Sequence, residues 1–128
     1  RIVYDPEARV YHHRRDILGP HLRQVKSYAL HRGFFAKKFP QTSLKPGYFA
    51  PSFFMLFTLF GWMTVWCCRW AFTLWAAVMG LYAVLSLLFS LRTLNPLGIS
   101  GVFAGTFMTH IVYGIWFIIG LISSELRD

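Results

Sequence analysis

Acidic residues are scarce in this sequence of 128 residues, where five Asp and Glu stand against thirteen Lys and Arg. Cysteine is scarcer still. Cys67 and Cys68 are the only two, and two cysteines build neither a disulfide framework nor a four-cysteine zinc site. Charge is almost missing from two long stretches: Arg69 is the only charged residue in 51–91, and 97–124 contains no Asp, Glu, Lys or Arg. No carboxylate pair remains in these stretches for general acid–base chemistry.

The two uncharged stretches predict helices that cross a membrane. A crossing helix needs about 20 consecutive apolar residues, and its backbone groups must bond internally. Apolar residues here form continuous runs and do not alternate with polar ones, so a membrane barrel is a poor fit. The sequence therefore predicts an all-α membrane domain over 49–128, with three spans at about 49–68, 71–91 and 99–122.

The positive charge lies mostly ahead of these spans. Ten of the thirteen Lys and Arg precede Gly47. With Arg92 they place eleven cations on one side, against Arg69 and Arg127 on the other. Such asymmetry is typical of the positive-inside rule and of attraction to anionic lipids. We therefore expect an integral protein of the cell membrane with a cytoplasmic basic N-terminal part, and no nucleic-acid partner.

The basic part divides into three segments. Residues 1–15 carry two strand-like fragments separated by turn residues. Residues 16–40 predict an amphipathic helix, starting at Asp16 or at Pro20 and interrupted at Gly33. We expect it to lie in the headgroup layer; the alternative is an ordinary helix packed on a protein surface. Residues 41–48 form a polar linker. The helix places Leu18, Leu22, Val25 and Ala29 on the stripe facing lipid, and the cations expected to contact headgroups are Arg14, Arg15, Arg23, Lys26, Lys37 and Lys38.

The N-terminal residues also resemble a known family. The stretch 4–15 reads Tyr-Asp-Pro-Glu-Ala-Arg-Val-Tyr-His-His-Arg-Arg, 22–28 reads Leu-Arg-Gln-Val-Lys-Ser-Tyr, and 31–33 reads His-Arg-Gly. In order and spacing these are similar to the C-terminal region of membrane-bound family-2 glycosyltransferases. Those enzymes join a cytoplasmic GT-A domain to amphipathic and transmembrane helices. The resemblance implies that 1–15 is the end of such a domain, most of which is missing here.

The resemblance also implies an inverting transfer of a sugar from a nucleotide donor to a lipid-linked or membrane-proximal acceptor. It places Gln24, Tyr28 and Arg32 near the acceptor or the donor diphosphate. In the intact enzyme a divalent metal, Mn or Mg, would bind the diphosphate. His12, or alternatively His13, stands at the position of a late metal ligand, although both histidines also fit exposure to solvent.

Two departures from the family leave alternatives open. The Gln-x-x-Arg-Trp motif of polymer-forming members is absent, as are an Asp-x-Asp metal motif and a general base, so this chain alone should be inactive. One alternative is a non-catalytic three-span protein that binds anionic lipid and a partner helix, or a second copy, through small-residue faces such as Gly101-x-x-x-Gly105. Another is a small transporter that uses His110 within the third span.

Overall fold

The computed structural model of this protein describes Glu7, residues 18–93 and residues 95–126. Every regular element in those residues is helical, which confirms an all-helical fold for them. The strand-like segment predicted for 1–15 lies, except for Glu7, outside the described residues. The elements in chain order are α1 (Gly19–Lys38), α2 (Pro40–Ser43), a 3₁₀ helix (Pro46–Phe49), α3 (Ala50–Phe60), a second 3₁₀ helix (Gly61–Trp66), α4 (Arg69–Ser90) and α5 (Pro96–Ile122).

Three helical segments are long and apolar enough to cross a membrane: Pro46–Trp66, Arg69–Ser90 and Pro96–Ile122. Their ends agree closely with the spans predicted from the sequence. Most of α4 is uncovered by the rest of the protein, and large apolar side chains project from it. An uncovered apolar surface of this extent is typical of helices that face lipid. Its exposed members on α4 include Leu74, Leu81, Leu85 and Leu88.

The other long helices pack against α5. Asn95 caps the start of α5 by accepting a hydrogen bond from the Leu97 N–H at 3.0 Å. Pro96 fits the first turn, where the N–H it lacks would have no partner within the helix. Residues of α1, α3 and α4 all contact α5, and Phe117 of α5 is completely buried. The protein core therefore follows α5, above all its C-terminal half.

α1 meets α5 at two glycines, Gly33 and Gly120. A Cβ atom on Gly33 would lie 2.1 Å from the backbone oxygen of Phe117. A Cβ atom on Gly120 would lie equally close, at 2.1 Å, to the backbone oxygen of Leu30. Helix backbones approach so closely only where small residues face each other. The prediction that Gly33 interrupts the helix is therefore wrong, because α1 continues through it to Lys38.

α1 and α5 run side by side in the same direction. His21 near the start of α1 lies against Thr109, with 3.1 Å between Nε2 and Oγ1. Near the other end of α1, the ammonium group of Lys37 donates a hydrogen bond to the backbone oxygen of Ser123. Because later residues of α1 contact later residues of α5, the two helices are parallel.

The apolar stripe of α1 is covered mainly by protein. Ala29 is fully buried and Val25 is 9% exposed, whereas Leu18 at the helix start is 48% exposed. The prediction that Val25 and Ala29 face lipid is therefore wrong. An apolar partner helix and a lipid chain are similar media for such side chains, so their composition did not distinguish the two.

A pair of introduced cysteines tests the parallel order of α1 and α5. In a background with Cys67 and Cys68 changed to serine, we expect His21→Cys/Thr109→Cys to be joined efficiently by a short bismaleimide. The matched pair His21→Cys/Ser123→Cys should not react, because fourteen residues of helix separate the two α5 positions by about 21 Å. Cross-linking is read as a mobility change after proteolysis between the helices. Equal reaction of both pairs would contradict the parallel order.

α3 and α4 form an antiparallel hairpin. The Trp75 indole N–H donates to the backbone oxygen of Phe57 at 2.9 Å. Further along, the rings of Phe54 and Tyr82 lie 4.6 Å apart. Later residues of α4 thus contact earlier residues of α3, which is the order found in an antiparallel hairpin. The connection between the two helices consists only of the second 3₁₀ helix and two further residues.

α3 crosses α5 at Gly114. The Ser52 hydroxyl donates to the backbone oxygen of Gly114 at 3.2 Å, and a Cβ on Gly114 would lie 2.7 Å from the Met55 Cβ. At the start of this segment, the rings of Phe49 and Phe117 are 5.0 Å apart. Three complete crossings in alternating directions would separate these two rings by most of the bilayer core, about 30 Å. The helices therefore do not form a regular up-and-down bundle.

Candidate functional site

A polar stripe runs along α1, beside the face that packs on α5. Gln24, Tyr28 and Arg32 recur every four residues, so a helix places them one above the other. The Gln24 side-chain amide donates to the Tyr28 hydroxyl at 3.4 Å. Gln24 and Tyr28 therefore contact each other, while Arg32 turns towards other elements. Their placement near an acceptor or a diphosphate stays a prediction. The residues lining a shallow concavity on this side are Pro20, Arg23, Gln24, Ser27 and Tyr28.

The guanidinium of Arg32 lies between two tyrosines from other elements. Its Nη1 donates to the hydroxyl of Tyr113 at 3.5 Å, and its Cζ lies 4.7 Å from the ring centre of Tyr48. The hydrogen bond to Tyr113 raises the pKa of Arg32; partial burial opposes this effect, and the nearby tyrosines add to it. The guanidinium therefore stays protonated, and the junction of α1, α5 and the first 3₁₀ helix carries a permanent positive charge.

Packing holds both of these tyrosines in place. Tyr113 stacks on Phe117, with ring centres 6.0 Å apart and planes 13° apart. Tyr48 packs against the core that Ala29, Ala36 and Phe117 form. Neither tyrosine belongs to the site predicted from the sequence. Tyr48 carries a signal that could have indicated it, namely an aromatic ring with a polar tip near the end of an apolar helix.

Three lysines predicted to contact lipid headgroups are exposed and lie over aromatic rings. Lys26 Nζ is 4.0 Å from the ring centre of Trp116. Lys37 and Lys38 lie 5.8 and 5.4 Å from that of Phe34. Each such contact is worth about 0.5–1 kcal/mol at an exposed site, so the ammonium groups of Lys26 and Lys38 can move to a phosphate at little cost. Lys37 would also have to give up its hydrogen bond to the backbone oxygen of Ser123. Headgroup contact by these residues stays a prediction.

The structure does not test the metal ligands implied by the resemblance. His12 and His13 lie outside the described residues, as do Arg14 and Arg15 among the predicted headgroup contacts. Within residues 18–93 and 95–126, together with Glu7, no three His, Cys, Asp or Glu side chains are grouped so that they could hold a metal ion. A metal site that includes His12 or His13 therefore stays a prediction.

His110 lies among aromatic rings in the middle of α5. Its ring centre is 5.2 Å from Phe54 and 5.9 Å from Tyr82, in edge-to-face contacts. Such contacts are typical of a histidine that packs helices together. The neighbouring Thr109 contacts His21, and this pairing could not be predicted from the sequence. Transport that uses His110 stays a prediction.

We found no protein-family model, curated protein or solved structure that matches this chain. The similarity to family-2 glycosyltransferases therefore depends on residues 4–33 alone. Of that stretch, the structure describes Glu7 and residues 18–33. Gln24, Tyr28 and Arg32 are the site residues implied by the resemblance whose contacts the structure describes. Those contacts provide the basis for a proposed function.

Proposed function

We propose that this chain is the membrane-anchoring part of an inverting family-2 glycosyltransferase, which moves a sugar from a nucleotide donor to a lipid-linked or membrane-proximal acceptor. One observation carries the proposal. α1 bears Gln24, Tyr28 and Arg32 and is held on α5 by the close contact of Gly33 with Gly120. A helix fixed in this way keeps its side chains at a constant position relative to the apolar helices. Transfer to an acceptor that lies in lipid benefits from such positioning.

Integration into a membrane is supported by the three long apolar helices and by the uncovered surface of α4. The proposed orientation has the basic N-terminal part in the cytoplasm, because a nucleotide-sugar donor is a cytoplasmic compound in the family that the chain resembles. The surplus of cations ahead of Gly47 favours the same orientation. We place the protein in the cell membrane on these grounds.

The proposed role of this part is positioning. A base that deprotonates the acceptor hydroxyl and an Asp-x-Asp metal motif would belong to the catalytic domain that the helices anchor. Mn or Mg, when bound there, would neutralise the donor diphosphate, with His12 or His13 as the candidate ligand from this chain. Gln24 and Tyr28 would orient the acceptor, since they lie on the exposed stripe of α1 and contact each other.

Sugar transfer by the complete natural protein tests this proposal. In membranes from expressing cells, Gln24→Ala should lower the transfer of labelled sugar from a nucleotide donor into extractable lipid by about tenfold to hundredfold, as expected when a positioning contact is lost. Arg92→Gln is the matched control, because Arg92 lies in the turn before α5 over the ring of Phe89. Unchanged transfer in Gln24→Ala and in Arg32→Ala would contradict the role of α1.

The exposed lysines favour a second candidate, a non-catalytic protein that binds anionic lipid. Lys26, Lys37 and Lys38 are all on the surface of α1. This candidate predicts vesicle binding that depends on phosphatidylserine and weakens with salt, together with no sugar transfer by the complete protein. Sugar transfer that depends on Gln24 would exclude it.

A further inference from the structure

The Arg32 guanidinium has hydrogen-bonding capacity that the described residues do not use. Arginine carries five N–H donors. Within residues 18–93 and 95–126, one bond goes to the Tyr113 hydroxyl, and the remaining contact is with the ring face of Tyr48. The described carboxylate side chains are those of Glu7 and Glu125, and the groups that act on Arg32 are tyrosines. The cation is therefore held by tyrosines and has no anionic partner among the described residues.

We infer that Arg32, Tyr48 and Tyr113 bind a phosphate group. Guanidinium N–H groups pair with two phosphate oxygens at once, and a tyrosine hydroxyl can donate to a third. The three residues come from α1, the first 3₁₀ helix and α5, so the site exists only in the folded protein. Gly33, the neighbour of Arg32, is in close backbone contact with α5 and limits movement of this part of α1.

The position of Tyr48 indicates the depth of the site. Tyr48 lies in the first turn of Pro46–Trp66, the first of the three segments that are apolar enough to cross a membrane. Tyrosine and arginine side chains near the start of such a segment are typical of the headgroup layer, where lipid phosphates are found. Arg32 is exposed there, and Tyr28 is 58% exposed on the same side. A phosphate could come from a lipid headgroup or from a soluble diphosphate, and the chemistry of recognition is the same.

This inference deepens the proposed function, because the phosphate of a lipid-linked acceptor would occupy such a site. It rests on the proposed function only for the identity of that lipid. Binding is measurable on the 128-residue chain without any transfer reaction. Its failure is therefore distinct from failure of the glycosyltransferase proposal, which the transfer assay on the complete protein decides.

The experiment places the chain in phosphatidylcholine nanodiscs and uses two probes. The first is phosphatidic acid with a fluorescent acyl chain, detected by energy transfer from tryptophan. The second is inorganic pyrophosphate, added from solution as a competitor. We expect Arg32→Gln to weaken phosphatidic acid binding about tenfold, since a charge-assisted hydrogen bond is lost. Arg92→Gln removes the same charge from another exposed arginine over a ring, and should leave binding within about twofold.

Tyr113→Phe keeps the ring that stacks on Phe117 and removes only the hydroxyl, so it tests the site even where Arg32→Gln impairs folding. We expect a loss of about tenfold, as for one hydrogen bond to a charged group. Binding of phosphatidic acid that depends on Arg32 and Tyr113 supports a lipid phosphate. Displacement by pyrophosphate with the same dependence supports a soluble source. No loss in either variant, or an equal loss in Arg92→Gln, would overturn the inference.

Discussion

Replacing Gly120 with leucine is expected to separate α1 from α5 and to lower the free energy of unfolding by about 3 kcal/mol or more, the upper range for overpacking a close contact. Even a Cβ atom at this position would lie 2.1 Å from the Leu30 backbone oxygen and 2.9 Å from the Phe34 backbone nitrogen. Backbone atoms of a helix cannot give way as a flexible side chain can. The better helix propensity of leucine adds at most about 1 kcal/mol and does not offset the clash.

The measurement is unfolding of the chain in mixed micelles with increasing dodecyl sulfate, together with protease cleavage of α1. Gly101→Leu is the matched control, because Gly101 lies on the same helix and a Cβ there would have no atom within 4 Å. Gly33→Leu should reproduce the effect from the other side of the contact. Equal stability of Gly120→Leu and Gly101→Leu would show that α1 and α5 are not in close backbone contact.

The long helices could be predicted from the sequence because an uncharged run has few physical explanations. In α4 the predicted range 71–91 and the observed Arg69–Ser90 nearly coincide, and Arg69 at its start is the one charge in the surrounding stretch. The start of α1 was predictable for a related reason. Proline is tolerated in a first helical turn, and α1 begins at Gly19, with Pro20 in that turn.

The contacts between helices were not predictable in the same way. Gly101-x-x-x-Gly105 and Gly33 are all glycines in helices, and the sequence favoured the first pair for packing. The structure leaves Gly101 open, buries Gly105, and places Gly33 in close backbone contact with α5 at Gly120. Lipid and a partner helix are both apolar, so hydrophobicity gives no signal about which of them a small-residue face meets.

In the candidate site, too, a contact within one helix could be predicted from the sequence and a contact between helices could not. Gln24 and Tyr28 are four residues apart on one helix, so helical periodicity alone predicts their contact, which the structure has. Arg32 bonds to Tyr113, 81 residues away, and this pairing depends on how α1 packs on α5. Tyr48 reaches Arg32 only because the chain turns back after α1. The identity of Arg32 as an arginine indicated a cation that can bind phosphate. Its aromatic partners, Tyr48 and Tyr113, could be identified only from the tertiary structure.

The crossing of α3 over α5 should be sensitive to Gly114, and Gly114→Leu is expected to cost about 1–3 kcal/mol. A Cβ there would lie 2.7 Å from the Met55 Cβ and 2.9 Å from the Pro51 backbone oxygen. Movement of α3 would also break the buried hydrogen bond from the Ser52 hydroxyl to the Gly114 oxygen. Since α1 contacts α5 on both sides of Gly114, at Thr109 and at Ser123, this variant should keep the His21–Thr109 contact.

Hydrogen exchange separates this effect from the one at Gly120. Gly114→Leu should increase exchange in α3 (Ala50–Phe60) and leave α1 protected, whereas Gly120→Leu should do the reverse. Gly80→Leu on α4 is the matched control, because no atom lies within 4 Å of a Cβ there. Ser52→Ala should lower stability by about 1 kcal/mol through the lost hydrogen bond, without displacing α3. Faster exchange in α1 and α3 together would instead mean that both helices depend on α5 as a single cooperative unit.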